Sequence, residues 1–472
     1  MTPLWSATDA AVATGGSCST DWVATGVSID TRTLAPGDLF VALQGPNHDG
    51  HDFVGAALQR GAAAAIIGRE ISQLPTSAPL LRVADTLAGL AALGAARRKR
   101  SQAQIVAVTG SVGKTGTKEA LRLALGSSGP TYASAGGLNN HWGAPLSLAR
   151  LPPDVRYGVF ELGMNHPGEI ADLTRLVRPH VAVITTVEPA HLGFFRSVEA
   201  IADAKAEIFL GLEPGGVAIL NRDNPHYARL VEAAKRAGPI KVLTFGTHPE
   251  AATRLIDCVL DPRGSTVEAS VCGSIIRFRM HVAGRHWVMN ALGVLAAVTA
   301  AGAAVNRAAE ALAELQEPPG RGRRRELAWR GGSLTVIDES YNASPAAMRA
   351  ALAVLAATEP AEGARRVAVL GDMLELGEAS ERLHRELAES LEPGIDRVFL
   401  IGEAMAALNE ALPAAKRGGL WRSPEEAMPA LLDFLEPGDV VTVKGSRGVG
   451  LGRVVELLHA QSPRHNTCRP ET

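Results

Sequence analysis

The sequence predicts an α/β protein of three domains, with a central, mostly parallel sheet between a small N-terminal α/β domain and a Rossmann-like C-terminal domain. At roughly 150 residues per domain, the chain of 472 residues corresponds to about three domains. Candidate strands alternate with candidate helices along most of the chain, which is typical of parallel sheets covered on both faces. Residues 316–320, which contain proline and glycine, interrupt the helical pattern and predict a hinge.

We expect the first domain to span residues 1–101. It contains a strand, FVAL, then a loop, a short helix and a second strand that ends near Arg69. A longer helix is predicted from about Thr86 to Arg100, and its last turn is the basic run 97–100. Because the C-terminal end of a helix dipole is negative, we interpret this run as a solvated helix end, with an anion site as the alternative.

The second domain is expected to span residues 102–315, with alternating strands and helices. The predicted strands are Ile105–Thr109, Tyr157–Leu162, Val181–Val187 and Val217–Leu220. The predicted helices are Thr117–Leu125, Pro167–Val177, Val198–Leu212, one from about Asn290 to Ala304 and one that ends near Leu315. Alternating apolar and polar residues between Arg254 and Val282 predict antiparallel strands.

The third domain is expected to span residues 316–472, where the alternation of strands and helices resumes. The predicted strands are Leu334–Ile337, Arg366–Leu370, Arg397–Ile401 and Asp439–Lys444, and helices are predicted to begin at Pro345 and Ser380. From Gln461 the chain is polar and contains proline, so we expect a frayed tail.

Composition excludes several classes of protein. The formal net charge of -2 provides no long-range attraction to nucleic acid, so no nucleic-acid partner is expected. The four cysteines contain no CxxC pair, which argues against metal clusters and disulfides and fits a reducing compartment. We find neither a signal-peptide pattern at the N-terminus nor an apolar stretch long enough to span a membrane, and we therefore expect a cytoplasmic protein.

The strongest local motif is TGSVGKT at residues 109–115, between a predicted strand and a predicted helix. Glycines allow the backbone N–H groups to surround phosphates, and the helix N-terminus adds a partial positive charge. In such a loop Lys114 reaches the β- and γ-phosphates and the Thr115 hydroxyl binds Mg²⁺. The loop is a shorter variant, GxxGKT, because Val108 stands where the general P-loop has glycine. A structural turn with an incidental lysine is the alternative.

Three further residues are candidates. Glu161 ends the strand YGVFEL, at the sheet edge where α/β proteins bind ligands, and is either a Mg²⁺ ligand or a turn or cap residue. His191 follows the strand VAVITTV and is either functional or an ordinary surface or core histidine. Lys205 lies within a helix, in AKAE, and by itself indicates a solvated lysine with a weak salt bridge.

Taken in order, the motifs resemble the Mur ligase family, and within it the branch that adds D-alanyl-D-alanine. The resemblance covers nearly the whole chain. The matching segments are SIDTR, DLFVALQG, DGHDF, TGSVGKTGTKE, LNN, ELGMNHPGEI, AHLGFF, AKAEIF, PGR, ESYNAS, LGDMLELG and KGSR. The most discriminating of these are ESYNAS, GDMLELG and KGSR, because they point to this branch rather than to the branches that act on folate or add glutamate.

The resemblance implies an ATP-dependent amide ligase of peptidoglycan precursor synthesis, which joins D-Ala-D-Ala to UDP-MurNAc-tripeptide through an acyl phosphate. It implies ATP, two Mg²⁺ ions, a carbamylated Lys205 and a monomer. The first domain would bind the UDP-sugar and the second ATP, while the third would close on ATP and bind the incoming dipeptide. The sequence does not specify whether the third residue of the peptide is lysine or diaminopimelate.

The resemblance also assigns site residues. Those implied as catalytic are Lys114, Glu161, His191 and Lys205, and those implied at the metals are Thr115, Glu161, His191 and the carbamylated Lys205. Those implied to bind ATP are Gly110, Ser111, Val112, Gly113, Lys114, Thr115, Gly116, Asn290, Arg321, Asp338 and Asn342. Those implied to bind the other substrates are Ser28, Asp30, Thr31, Arg32, Asn139, Asn140, Lys444, Ser446 and Arg447.

Several positions depart from the usual pattern of the family, and the Met-Glu pair that is usual after KGSR is absent. Gly137, Thr186 and Trp287 stand where asparagine is common, and Glu339 replaces an aspartate. Two alternatives therefore stay open: a family ligase with a different amine or acceptor, and a non-catalytic ATP-binding paralogue. A simple P-loop kinase is disfavoured, because it would leave the first and third domains without a role.

Overall fold

The computed structural model describes residues 3–190, 192–261, 264–391 and 394–462. The predicted fold class is confirmed: strands alternate with helices, and the strands form several mostly parallel sheets. The predicted boundaries after residues 101 and 315 lie between these sheets, and we propose them as the limits of three domains. In the described part of the chain, no helix combines the length and apolar character needed to cross a membrane.

The N-terminal part contains a five-stranded sheet in the order β2-β7-β6-β5-β4, which is parallel except for β2. A separate antiparallel pair joins β1 and β3. The elements are β1 (Trp5–Ser6), α1 (Ala7–Thr14), β2 (Ser17–Cys18), β3 (Val23–Ala24), β4 (Gly26–Ser28), β5 (Asp38–Val41), α2 (Val54–Gln59), β6 (Ala64–Ile67), β7 (Leu80–Arg82) and α3 (Thr86–Arg100). The predicted helix from Thr86 to Arg100 is confirmed as α3, which begins where the Asp85 carboxylate accepts from the N–H of Ala88.

The interpretation of residues 97–100 as a solvated helix end is wrong for the first two arginines. Arg97 and Arg98 are only 8% and 5% exposed. Arg97 donates from Nε to the carbonyl of Leu151 at 2.5 Å, and Arg98 donates from Nε to the carbonyl of Val177 at 2.8 Å. Both carbonyls lie beyond residue 102, so the two guanidiniums fasten α3 to the central domain rather than forming an anion site.

The central part is built on a nine-stranded sheet in the order β16-β15-β14-β13-β12-β11-β8-β10-β9. Its strands are parallel from β9 to β14, and β14, β15 and β16 are antiparallel, as the alternation after Arg254 predicted. The elements are β8 (Gln104–Thr109), α4 (Lys114–Gly126), β9 (Thr131–Ala133), α5 (Gly143–Ala149), β10 (Tyr157–Glu161), α6 (Glu169–Val177), β11 (Val181–Ile184), α7 (Val198–Ala206), β12 (Val217–Asn221), α8 (Tyr227–Ala237), β13 (Lys241–Gly246), β14 (Thr253–Asp261), β15 (Gly264–Val271), β16 (Ser274–Met280), α9 (Arg285–Ala300) and α10 (Val305–Ala311).

Alternate residues of the central strands enter two different cores. Val106 and Val108 of β8 pack with α4 and α9 on one face, whereas Ile105 and Ala107 pack with α6 and α7 on the other. Burial on both faces explains why these parallel strands are continuously apolar in sequence.

Several predicted elements of the central domain have different limits in the structure. The helix predicted as Val198–Leu212 is α-helical only to Ala206 and continues as a 3-10 helix over Glu207–Gly211, and the helix predicted from Thr117 begins at Lys114. The strand predicted to reach Val187 ends at Ile184, because the hydroxyl of Thr185 turns to the carbonyl of Val112 in the glycine-rich loop. The helix predicted to begin near Asn290 begins at Arg285, directly after Gly284, whose φ of 108° separates it from the preceding chain.

The C-terminal part contains a six-stranded sheet in the order β17-β18-β22-β19-β20-β21. It is parallel except for the β17–β18 hairpin, which the sequence did not predict. The elements are β17 (Arg323–Trp329), β18 (Gly332–Glu339), α11 (Pro345–Ala357), β19 (Arg366–Gly371), α12 (Ser380–Arg385), α13 (Ala388–Leu391), β20 (Arg397–Ile401), α14 (Ala406–Ala411), β21 (Arg417–Trp421), α15 (Pro424–Phe434), β22 (Val440–Lys444) and α16 (Gly452–Gln461). The predicted tail lies outside the described residues from position 463 onward.

Candidate active site

The glycine-rich loop connects β8 to α4, as the sequence predicted. Gly110 and Gly113 have φ angles of 150° and 84°, which side chains rarely adopt. A Cβ atom at Gly110 would lie 1.8 Å from the hydroxyl of Thr185, and one at Gly113 would lie 2.9 Å from Oδ1 of Asn290. The loop therefore requires glycine at both positions, and it presents the free N–H groups of the α4 N-terminus.

Ser111 and Gly116 are held by two of the residues that depart from the family pattern. Ser111 donates its backbone N–H to the carbonyl of Thr186 at 2.9 Å. A Cβ atom at Gly116 would lie 2.7 Å from the indole ring of Trp287, which is 5% exposed. Trp287 thus packs directly against the first turn of α4, so the replacement of asparagine at this position has a structural use.

Lys114 folds back over the loop. Its amine donates to the carbonyls of Gly110 and Ser111, at 2.7 and 3.5 Å. Burial lowers the pKa of Lys114, while the Glu161 carboxylate opposes this shift and the Arg321 guanidinium adds to it. A bound anion would favour the charged amine again, as expected for a lysine that binds phosphate.

Glu161 lies at the C-terminal end of β10, beside the loop, and is 2% exposed. Its Oε2 accepts from the Thr115 hydroxyl at 2.9 Å, and its Oε1 accepts from the amide of Asn139 at 2.8 Å. A buried carboxylate and a hydroxyl in contact are the hard oxygen donors that Mg²⁺ prefers, so these residues fit the metal predicted for them.

Asn139 and Asn140 were both expected to contact substrate. In the structure Asn139 bonds to Glu161, while Oδ1 of Asn140 accepts from the backbone N–H groups of Trp142 and Gly143, at 3.2 and 3.0 Å. The amide of Asn139 therefore orients the carboxylate that is predicted to bind Mg²⁺, and Asn140 holds the backbone where α5 begins. Their contacts with substrate stay a prediction.

The interpretation of Lys205 as a solvated helical lysine is wrong. Lys205 lies on α7 and is 2% exposed. Among the described residues, none accepts a hydrogen bond from its amine. Burial, together with the nearby charge of Lys114, lowers the pKa of Lys205 well below its usual range. Lys205 is therefore unusual: it is buried without a hydrogen-bond acceptor in the part of the chain that the structure describes, and its lowered pKa favours the neutral amine.

The prediction for His191 lies outside the described residues. The segment that follows it contacts the C-terminal domain: the N–H of Gly193 donates to the carbonyl of Glu375 at 2.7 Å. Leu192 packs against the hydrophobic cores of both the central and the C-terminal domain. The chain that follows position 191 therefore lies at the junction of these two domains.

Three residues that are predicted to bind ATP make local contacts at the start of the C-terminal domain. The guanidinium carbon of Arg321 lies 4.1 Å from the centre of the Tyr341 ring. Asp338 accepts from the hydroxyl and N–H of Ser340, at 2.6 and 3.1 Å, and Oδ1 of Asn342 accepts from the next backbone N–H at 2.9 Å.

The residues of the KGSR motif have different environments. Lys444 is 3% exposed and donates to Oε2 of Glu339 at 3.3 Å and to the carbonyl of Asn342 at 3.0 Å. Ser446 accepts from the N–H of Leu374 at 2.9 Å, and Arg447 is exposed. Lys444 therefore stabilises the ESYNAS turn, and Ser446 the LGDMLELG loop.

The four predicted residues of the N-terminal domain form a separate group. Arg32 donates from Nε to Oδ1 of Asp30 at 3.0 Å, and the Ser28 hydroxyl donates to the carbonyl of Asp30 at 3.1 Å. The carbonyl of Thr31 accepts from Arg60 at 2.6 Å. Within the described ranges, no hydrogen bond joins these four residues to the glycine-rich loop, so they form a distinct turn on the first domain.

Lys118 is a buried residue that the sequence analysis missed. It is 0% exposed, and its amine donates to the carbonyls of Ser134 and Gly136, at 2.7 and 3.4 Å. The hydroxyl of Ser134 in turn accepts from the N–H of Glu161 at 3.2 Å. Lys118, on α4, thereby holds in place the loop that contains Asn139. Its position three residues after Thr115, on the same side of the helix, was the available signal.

Replacing Lys118 with methionine is expected to lower the free energy of unfolding by about 3 kcal/mol, because two carbonyls lose their buried, charged donor. Amide hydrogen exchange in residues 134–140 should accelerate. Arg122→Met provides the control. Arg122 is exposed and pairs at 2.8 Å with Glu119, the acid that also pairs with Lys118 at 2.9 Å, and its loss should change stability by less than about 0.5 kcal/mol. Equal losses in the two variants, measured by urea unfolding, would contradict this role for Lys118.

This arrangement defines an α/β nucleotide-binding enzyme: a glycine loop joins a strand to a helix, and a carboxylate ends the adjacent strand. Family models match most of the chain: the Mur ligase family catalytic domain over residues 23–100, the Mur ligase middle domain over 108–298, and the Mur ligase glutamate ligase domain over 323–447.

Full-length relatives agree with these matches. A UDP-N-acetylmuramoyl-tripeptide–D-alanyl-D-alanine ligase of Rickettsia prowazekii is 33% identical over 96% of this chain and 99% of its own. The enzyme of the same name from Escherichia coli K12 is 36% identical over 94% of each chain.

Solved structures agree as well. A crystal structure of MurF from Acinetobacter baumannii has a TM-score of 0.84 at 31% identity and covers 98% of this chain and 100% of its own. The MurF ligase of Thermotoga maritima, in complex with ADP, has a TM-score of 0.76 at 29% identity and covers 92% of this chain and 97% of its own. The chain belongs to the Mur ligase family, and it is an ATP-dependent ligase that uses Mg²⁺ and forms a carbon–nitrogen bond.

Proposed function

We propose that this enzyme joins D-Ala-D-Ala to UDP-MurNAc-tripeptide through an acyl phosphate, as a monomer in the cytoplasm, in the synthesis of peptidoglycan precursors. The observation that carries the proposal is the convergence of Lys114, Thr115 and Glu161 in a chain that matches ligases of this specificity over its full length.

In the first step, the C-terminal carboxylate of the tripeptide attacks the γ-phosphorus of ATP and ADP leaves. This brings anions together, so positive charge must offset their repulsion. Lys114 supplies one charge at the loop, and Arg321, whose charge acts on the Lys114 amine, supplies a second from the hinge side. Thr115 and Glu161 would hold Mg²⁺, which neutralises phosphate charge when bound.

In the second step, the free amine of D-Ala-D-Ala attacks the acyl carbon. The tetrahedral intermediate collapses to the amide, inorganic phosphate leaves with one former carboxylate oxygen, and the amine releases a proton. No side chain needs to form a covalent bond. Because water would hydrolyse the acyl phosphate, the reaction needs a closed site. The contact between Gly193 and Glu375, and the hinge at residues 316–320, support closure by the third domain.

We further propose that Lys205 is carbamylated. A neutral lysine amine adds CO₂ and loses a proton, which gives a carbamate anion. This anion and His191 would together hold a second Mg²⁺. The proposal is supported by the burial of Lys205, by the absence of an acceptor for its amine among the described residues, and by its lowered pKa. A carbamate would also offset the nearby positive charge of Lys114.

The remaining site residues follow the same proposal. The turn containing Ser28, Asp30, Thr31 and Arg32 would bind the UDP-sugar, and Asn139 and Asn140 the sugar-peptide. Asn290, Asp338 and Asn342 would contact ATP, while Lys444, Ser446 and Arg447 would border the incoming dipeptide.

A phosphate-release screen tests the proposed function. UDP-muramyl peptides ending in lysine or diaminopimelate are each combined with D-Ala-D-Ala, with single amino acids and with other dipeptides. We expect release that requires ATP, Mg²⁺, one of the tripeptides and D-Ala-D-Ala together. Release with a different amine would assign another specificity within the family. Nucleotide binding without release under any combination would support a non-catalytic protein instead.

A further inference from the structure

The side chain of Tyr341 contacts two arginines that belong to different motifs. The guanidinium carbon of Arg321, in the hinge, lies 4.1 Å from the ring centre, and that of Arg447, in the KGSR motif, lies 5.7 Å from it. Both distances are within the range of cation–π attraction. The ring of Tyr341 therefore attracts both guanidiniums, and this attraction offsets part of the repulsion between two like charges.

The backbone also places Tyr341 at the hinge. Its N–H donates to the carbonyl of Gly320 at 3.1 Å. A Cβ atom at Gly320, whose φ is 74°, would lie 2.9 Å from the Cβ of Tyr341. The hinge therefore packs directly against the tyrosine, so a movement of the hinge moves the ring and the arginines together.

The hydroxyl of Tyr341 reaches the central domain at Gly137. A Cβ atom at Gly137 would lie 3.0 Å from this hydroxyl oxygen, closer than most side-chain contacts. Gly137 belongs to the loop that carries Asn139, the residue bonded to Glu161. Gly137 is exposed and has no positive φ in this structure, so the backbone does not require glycine there. Glycine at position 137 is instead explained by the Tyr341 hydroxyl, because a side chain there would crowd it.

We infer that Tyr341 is a positioning residue, which holds Arg321 and Arg447 over the loop of Asn139 when the third domain packs against the central domain. The absence of a side chain at Gly137 leaves the space that the Tyr341 hydroxyl occupies. The inference rests on the proposed function, because the two arginines would then face the reacting carboxylate and phosphates. It also accounts for the departure of Gly137 from the asparagine that is usual in the family.

Replacing Tyr341 tests this role. Tyr341→Leu removes the ring and should lower kcat about tenfold, because a partly desolvated cation–π contact has a free energy that corresponds to about this change in rate. The KM for the tripeptide should change less than about twofold. Tyr341→Phe keeps the ring and should retain kcat within about threefold. Tyr227→Leu is the matched control, because Arg222 lies 4.7 Å from that ring on the surface of the central domain. Its kcat should be unchanged.

A double-mutant cycle tests the contact with Gly137. Gly137→Asn should lower kcat in the wild-type background, because the new side chain displaces Tyr341, but by less than about twofold in the Tyr341→Leu background. Equal penalties in the two backgrounds, or a Tyr341→Leu enzyme as active as wild type, would overturn the inference. If Tyr341→Leu does not fold, the exposed position 137 still carries the test: kcat should fall from glycine to alanine to asparagine, and equal kcat values would overturn the inference.

The wild-type enzyme separates this inference from the proposed function. Absence of turnover with tripeptide and D-Ala-D-Ala in the wild type would remove the proposed function before any variant is compared. Normal wild-type turnover together with a normal Tyr341→Leu variant would remove only the positioning role.

Discussion

Lys114→Ala is expected to abolish the formation of ADP that depends on tripeptide and D-Ala-D-Ala together, with a loss of at least about 10³-fold in kcat/KM. Phosphoryl transfer depends mainly on positioning and on stabilisation of negative charge, and a P-loop lysine supplies both. In the structure this amine contacts only carbonyls of its own loop, Gly110 and Ser111, among the described residues, and is therefore available to an anion. A coupled assay of ADP release measures the effect.

Lys235→Ala is a suitable control for this variant. Lys235 lies on α8, is exposed, and pairs with Glu232 at 2.7 Å. It should keep the wild-type turnover, because an exposed pair of this kind contributes little to stability or function. Turnover of Lys114→Ala within tenfold of wild type would remove Lys114 from the phosphate site.

Lys205→Ala is expected to lose activity to a similar extent, and short carboxylic acids such as acetate or propionate should restore part of it. A small carboxylate can occupy the space left by the side chain and replace the anion of the carbamate. Lys114→Ala provides the comparison, because the lost group there is a cation and no acid should restore it. Turnover is measured against the concentration of added acid.

The same variant allows a direct test of the modification. Wild-type protein equilibrated with carbon-13 bicarbonate should show a carbamate signal in its NMR spectrum, and Lys205→Ala should lack it. Unchanged activity of Lys205→Ala, without any response to acids, would leave Lys205 as a buried lysine without a role in the reaction.

The ATP loop and its neighbouring acid could be predicted from the sequence because both depend on local patterns. Gly110, Gly113 and Lys114 lie within one short motif between a strand and a helix, and Glu161 ends a strand. Since the carboxyl ends of parallel strands meet at one edge of a sheet, the alternation of strands and helices was sufficient to bring Glu161 to the loop.

The environments of individual cations could not be predicted in this way. Arg97, Arg98, Lys118 and Lys205 occur in helices with ordinary polar patterns, yet each is at most 8% exposed. Their burial depends on carbonyls and packing from residues that are distant in sequence, such as Leu151 for Arg97. Because charged side chains are usually exposed, the sequence predicted exposure for these residues, and only the tertiary contacts show that they are buried.

The β17–β18 hairpin and the contact between Tyr341 and Gly137 were missed for related reasons. The hairpin begins with Arg323, Arg324 and Arg325, whose charges concealed an edge strand. The contact of Tyr341 joins two domains across a large separation in sequence, and the sequence showed only that Gly137 was unusual. Both features became visible once the packing of the third domain was known.

Transfer of oxygen-18 tests the central claim most directly, which is that the peptide carboxylate attacks ATP to form an acyl phosphate in this site. Tripeptide labelled on both oxygens of its C-terminal carboxylate is turned over with ATP and D-Ala-D-Ala, and the inorganic phosphate is analysed by mass spectrometry. We predict one oxygen-18 atom in each phosphate released, and one retained in the new amide. Phosphate that carries only oxygen from ATP and solvent would contradict the acyl-phosphate mechanism.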